Sequence, residues 1–153
     1  MKASQLSLDD LTFLEVSVNV NQDYIGKINE FDFDGVMFNW GIRHGKRNDE
    51  GTEWWVGLEV GMKSDEDKQC PYHLNVRAAA MFSLPDDYPQ EKRECFIYES
   101  GASLIYGAIR EMVMNISSRS AHGALMLPTA SFFGSFADRQ KETDATDGNK
   151  EGE

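Results

Sequence analysis

The residues that could do chemistry are few and scattered. The run Gly41 to Arg47 is the nearest approach to a phosphate loop, with Gly45 followed by Lys46. Such loops cradle anions on backbone N–H groups, between a strand and the helix that it feeds. Here the run is one residue short, has Arg47 where Ser or Thr belongs, and precedes another strand-like segment. It reads as a basic turn. Cys70 and His73 form half a zinc site, and the scattered Cys95, His44 and His122 supply no second pair. Ser117, Ser118 and Ser120 stand near His122, but at the end of a helical pattern with no orienting acid. There is no Gly-x-Ser-x-Gly elbow. Glu15 and Glu59 sit on alternating segments, where a solvated strand face explains them more simply than acid–base work. The expectation is a non-enzyme without metal or cofactor.

The aromatic residues say more. Trp40 and Trp54 fall on apolar strand faces and read first as core. For Trp55, Tyr98 and the cluster Phe132, Phe133 and Phe136, a groove or an oligomer interface is at least as good a reading.

Four alternating segments must position these residues. Leu14, Val16, Val18 and Val20 share one face of the first; Val36, Phe38, Trp40 and Ile42 one face of the second. Trp54 to Met62 and Leu74 to Leu84 alternate in the same way. Period two with one wetter face predicts an antiparallel sheet. Gly45 to Gly51 and Ser64 to Lys68 carry hairpin turn chemistry. Asn21 to Asp34 is longer and reads as a crossover loop.

From about Phe96 to Arg119, apolar residues recur at three- and four-residue spacing, which predicts a long amphipathic helix. Gly101 suggests a break in it, and His122-Gly123 its end. The fold class is therefore α+β, a four-stranded antiparallel sheet against a long C-terminal helix. Phe13, Met37, Trp55 and Met81 are left for the other sheet face, a surplus of apolar surface that suggests self-association or a groove.

The chain has 153 residues, and 26 acids against 15 bases give a net charge of −11. That balance suits one globular domain and argues against a nucleic-acid partner. No run of about 18 apolar residues predicts a membrane span. Residues 1–10 carry no signal-peptide pattern, and two cysteines are too few to staple a secreted domain, so a cytoplasmic protein is expected. Three parts are expected: a disordered N-terminus at 1–7, one domain at 8–137, and a disordered acidic tail at 138–153 with six acids and three bases.

The helix and its sequel resemble the C-terminal signature of the SecB-type export chaperones. Arg110-Glu111 matches the helix motif, Ser118-Arg119 the Ser-Arg-Gly near its end, and Leu125, Leu127 and Pro128 the Leu-x-Leu-x-Pro stretch. Phe132 follows where the family has Asn-Phe, and Ala79 to Ser83 resembles the Gly-Gly-Ile-Phe-Ser segment of its sheet. The sequence departs from the pattern at His122-Gly123, where the family has Phe-Pro, and at Ser131, where it has Asn. The resemblance implies an ATP-independent holdase for unfolded preproteins or other non-native polypeptides. It also implies a homotetramer, a dimer of dimers, with long apolar grooves. On this reading Trp40, Trp55, Tyr98, Leu104, Met112, Phe132, Phe133 and Phe136 are the groove candidates. Ile109, Val113 and Ile116 are the candidate oligomer contacts. Glu15 falls where the family docks the SecA translocase ATPase, while Asn19 and Asn75 stand where two further docking acids occur. Relatives of this kind also serve single partners such as antitoxins, which is the alternative function.

Overall fold

The computed structural model describes residues 1–147. Four strands, β1 (Ser7–Val20), β2 (Phe38–Lys46), β3 (Glu53–Met62) and β4 (Tyr72–Ser83), precede two helices, α1 (Gln90–Ser117) and α2 (Ser135–Asp147). The strands form one antiparallel sheet in the order β1-β4-β3-β2. Both hairpins fall at the two expected turns. The connection from β1 to β2 must cross the whole sheet, which explains the length of the loop at 21–37.

Helix α1 covers one sheet face and packs chiefly on β3 and β4. Ile97, Ile105, Ile109 and Val113 recur at multiples of four and meet Val56, Leu58, Val76 and Phe82, all nearly inaccessible to solvent. Each such side chain stabilises the fold by about 1.5–3 kcal/mol. Gly101 does not break the helix. It lies at the same spacing, and a Cβ there would sit 2.9 Å from Val56 Cγ2 and 3.1 Å from Phe82 Cε2. The residue is small because sheet and helix touch there.

At the start of α1 the buried Arg93 donates to the carbonyls of Tyr88 (3.0 Å), Asp86 (2.8 Å) and Glu50. Those bonds satisfy a charge that burial would otherwise penalise. They also tie the β2–β3 hairpin to the helix.

Five expectations need correction. Phe13 was assigned to the far sheet face, but it pairs with Ala78, which lies on the helix side. A register irregularity between Phe13 and Glu15 inserts Leu14 as an extra residue and leaves it 61% exposed. Leu14 therefore does not share a face with Val16, Val18 and Val20. Helix α1 ends at Ser117, short of His122-Gly123. The buried Ser117 hydroxyl donates to Val113 O (2.7 Å) and accepts from Leu125 N–H (2.8 Å), which turns the chain back along the helix. At the N-terminus, Leu6 is buried in the core and β1 begins at Ser7, inside the stretch expected to be disordered. Finally, residues 138–147 of the expected tail are helical, as part of α2. The rest of that tail, 148–153, lies outside the described residues.

Candidate functional site

Helix α1 does not reach across the whole sheet. β2 is an edge strand, and on the helix side its residues Phe38, Trp40, Ile42 and His44 run opposite Met62, Val60, Leu58 and Val56. The chain after α1 returns along this margin. Tyr106 donates its hydroxyl to Pro128 O (2.7 Å), and Arg110 Nε donates to Leu127 O (2.9 Å). Leu125 and Leu127 are buried as anchors, so the segment is held at alternate residues.

Between this segment and β2 lies a groove of about 290 Å3. Its floor is Leu58 and Val60, one wall is Phe38 and Trp40, and the other runs from Tyr106 through Pro128 to Phe132. None of the lining residues is charged. Trp40 and Phe132 meet edge to face at 6.0 Å, and Tyr106 meets Phe132 in the same way at 5.8 Å. Burial raises the Tyr106 phenol, with the Arg110 guanidinium opposing that shift. The phenol therefore keeps its proton and its bond to Pro128.

The aromatic row continues beyond the groove. Phe38 stacks on Phe33 (5.8 Å), Phe33 meets Phe31 (5.1 Å), and Phe31 meets Tyr24 (6.0 Å). These belong to the crossover loop, which Lys68 ties to the β3–β4 turn through Asp32 (2.9 Å). The Asp32 carboxyl is held below its ordinary value by the Lys68 hydrogen bond and the backbone N–H of Asp34.

A second cluster lies at the other end of β2. The His44 ring stacks on Trp54 and meets Tyr98 and Phe136 edge to face. Phe136 comes from α2, whose first turn is capped by the Glu99 carboxylate: it accepts from Gly134 N–H (2.8 Å) and Phe136 N–H (3.4 Å). Burial raises the Tyr98 phenol, opposed by the Arg139 guanidinium over its ring.

The candidate residues thus separate. Trp40 and Phe132 line the groove together. Tyr98 and Phe136 pack on each other beneath α2, and Phe133 is 91% exposed beside them. Trp55 pairs with Met81 and Gly45 on the opposite sheet face, so the thickness of the sheet separates it from the groove. Leu104, 47% exposed, and the half-buried Met112 lie on the solvent side of α1, outside the groove. Ile109 and Val113 are fully buried against the chain's own sheet and present nothing to a second copy, whereas Ile116 is half-buried. Their four-residue spacing marks the core face of the helix. Glu15 is on the outer face, where it accepts from Arg77 Nε (3.0 Å) and Asn75 Nδ2 (3.3 Å).

Phe38, Tyr106 and His44 were not among the candidates. The signal for Phe38 was present: it shares a strand face with Trp40. The role of Tyr106 depends on the returning segment, which has no periodicity to read.

No protein-family model matches the chain, and no curated protein matches it in sequence. Among solved structures it is similar to the Mycobacterium tuberculosis SecB-like chaperone in complex with a ChAD peptide from an antitoxin. The TM-score is 0.56 at 19% identity, over 83% of this chain and 91% of that one. The chain has a SecB-like fold. A protein of unknown function from Streptococcus agalactiae is also similar, at 7% identity over 83% of this chain and 99% of that one, with a TM-score of 0.46. The four-stranded antiparallel sheet and the long helix α1 are consistent with that fold. Among the described residues, no group of three or more His, Cys, Asp and Glu side chains is placed to hold a metal ion. No helix among them is long and apolar enough to cross a membrane.

Proposed function

We propose that this protein is an ATP-independent chaperone that holds non-native polypeptides, including unfolded precursors bound for export, in the groove beside β2. The carrying observation is an uncharged aromatic groove along the free edge of a SecB-like sheet. Aromatic and aliphatic walls accept many side chains because dispersion and desolvation have no strict direction. The unpaired edge of β2 offers backbone hydrogen bonds that are blind to client sequence. At about 290 Å3 the groove is at the low end for a small-molecule pocket, about 300–1,000 Å3, but suits one or two client side chains at a time. Affinity then comes from several such contacts along an extended chain.

On this reading the protein is not an enzyme, acts in the cytoplasm, and assembles as a homotetramer. The exposed side of α1, with Leu104 and Met112, is better placed for contact between copies than Ile109 or Val113. SecA is the weakest of the proposed partners. Glu15 is already engaged by Arg77, and Asn19 and Asn75 carry no charge.

The test is direct. The purified protein, sized by light scattering, is added to a chemically unfolded client without nucleotide. A tetramer that suppresses aggregation at stoichiometric amounts supports the proposal. A well-folded protein with no effect on aggregation overturns it.

A second reading has an observation in its favour: the similar SecB-like chaperone was solved with an antitoxin peptide. A chaperone dedicated to one such partner would use the same groove. It would capture a single polypeptide from its own cell, where a general holdase captures a spectrum.

A further inference from the structure

Helix α2 is polar along most of its length, yet it is docked. Besides the Glu99 cap at its first turn, two side chains hold it. Phe136 packs on His44 and Tyr98, and Arg139 lies over the Tyr98 ring at 5.5 Å while its NH1 meets His44 Nδ1 at 2.9 Å. The other ring nitrogen of His44, Nε2, meets Glu94 Oε1 at 2.9 Å.

These two contacts set the hydrogen-bond roles of the docked ring's nitrogens. A guanidinium only donates hydrogen bonds. Nδ1 must therefore accept, with a lone pair, and Nε2 carries the proton and donates to Glu94. The His44 side chain is 6% exposed, and Glu94, 53% exposed, and the exposed Arg139 reach it from the solvent side. Protonation would place an N–H on Nδ1 directly against the Arg139 guanidinium, donor to donor and cation to cation. The charged groups facing the ring are Glu94 from α1 and Arg139 from α2, with Asp144 of α2 lining the same cleft and Lys46 two residues along β2. The Tyr98 phenol keeps its proton.

We infer that His44 is a pH-sensitive latch: its neutral ring holds α2 on the body of the protein, and its protonation releases the helix. The sign follows from linkage. An N–H on Nδ1 meets Arg139 donor to donor only while α2 is docked; the released ring has no such contact. Falling pH therefore favours release. For one proton the docked-to-released ratio falls by at most about tenfold per pH unit. Gly134, at φ +85° and capped by Glu99, is the pivot. Release uncovers Tyr98 and the outer edge of the His44 ring. It also frees the downstream end of the segment that carries Phe132 into the groove.

The latch is read without any client, so its test is independent of chaperone activity. Amide shifts of the full-length 15N-labelled protein are followed from about pH 8 to about pH 5, the span in which an imidazole changes charge. The α2 amides, Ala137 to Thr143, are expected to move along one titration curve, while those of Val56 to Leu58 in the core stay put. His44→Gln, whose carboxamide can accept from Arg139 and donate to Glu94 without titrating, is expected to abolish the movement. Arg139→Gln removes the opposing cation and is expected to abolish it too. Glu94→Gln is expected to shift the curve to lower pH, a displacement that a purely structural role for Glu94 would not produce. Static α2 amides in the unmodified protein, or a His44→Gln curve like the unmodified one, would overturn the latch.

Discussion

Trp40 and Trp54 stand on the same face of neighbouring strands and end in opposite surroundings. Trp54 is 3% exposed, stacks on His44 and donates its indole N–H to Gly51 O (2.8 Å). Trp40 is 55% exposed and touches Phe132 at one edge. Strand alternation treats them alike. What separates them is the width of the cover: α1 spans β3 and β4, and the returning segment closes only part of the gap to β2. A sheet wider than its helix leaves an apolar margin, and in this protein that margin is the groove.

The comparison breaks first on stability. Trp54→Ala empties a site inside the core and is expected to cost about 3–5 kcal/mol, enough to unfold a marginal domain. Denaturant melts read this. A cost below about 1 kcal/mol would mean that Trp54 is no more a core residue than Trp40. The next largest effect is expected at the helix–sheet contact itself. Gly101→Val drives a side chain into Val56 and Phe82 and should cost about 1–3 kcal/mol by overpacking. The gain in helix propensity, at most about 1 kcal/mol, does not offset it. An unchanged or raised melting temperature would show that helix and sheet have slack there.

Trp40→Ala is expected to behave differently. With one aromatic contact to lose, its stability should fall by about 1 kcal/mol or less. Capture of an unfolded client, measured by titration of a labelled peptide, should weaken by roughly tenfold, the loss of one anchor of about 1.4 kcal/mol. Equal capture by Trp40→Ala and the unmodified protein would place the client elsewhere.

Much of the fold was legible in the sequence because it rests on periodicity. Alternation gave the faces of β2, β3 and β4, and four-residue spacing gave α1. The same rules failed where a local event overrides them. The extra residue at Leu14 reverses the faces of Asp10 to Phe13, up to a second irregularity before Asp10, so Phe13 was assigned to the wrong side. Gly101 read as a weak point in a helix, although its meaning is a close approach between elements far apart in sequence. Helix α2 was hidden for a related reason. Its composition is that of a solvated tail, and its order depends on Phe136 and Arg139 meeting His44, 92 and 95 residues earlier. The groove was legible in part. Phe132 was found as an aromatic in excess of a core's needs, and Trp40, read first as core, was a groove candidate through the resemblance, but sequence could not say which partner each aromatic meets.

Trp55 gives the sharpest form of that last point, and the smallest expected effect. It follows Trp54 directly, has the same side chain, and was a groove candidate where Trp40 read first as core. Period two turns it to the outer face, where its indole lies over Gly45, so closely that a Cβ there would sit 2.6 Å from Trp55 Nε1. Gly57 passes beneath the same ring, 3.7 Å from Trp55 Cζ3 for an added Cβ. The neighbourhood is mixed in charge, with Arg43, Glu59, Arg77 and Glu15 around it, unlike the uncharged groove. A client threaded beside β2 on the helix side cannot touch it through the sheet. Trp55→Ala should therefore leave capture of the labelled peptide within about twofold of the unmodified protein, less than 0.5 kcal/mol. If it weakens capture as much as Trp40→Ala does, with the fold intact by circular dichroism, the client lies on the outer face and the groove is only unfilled margin.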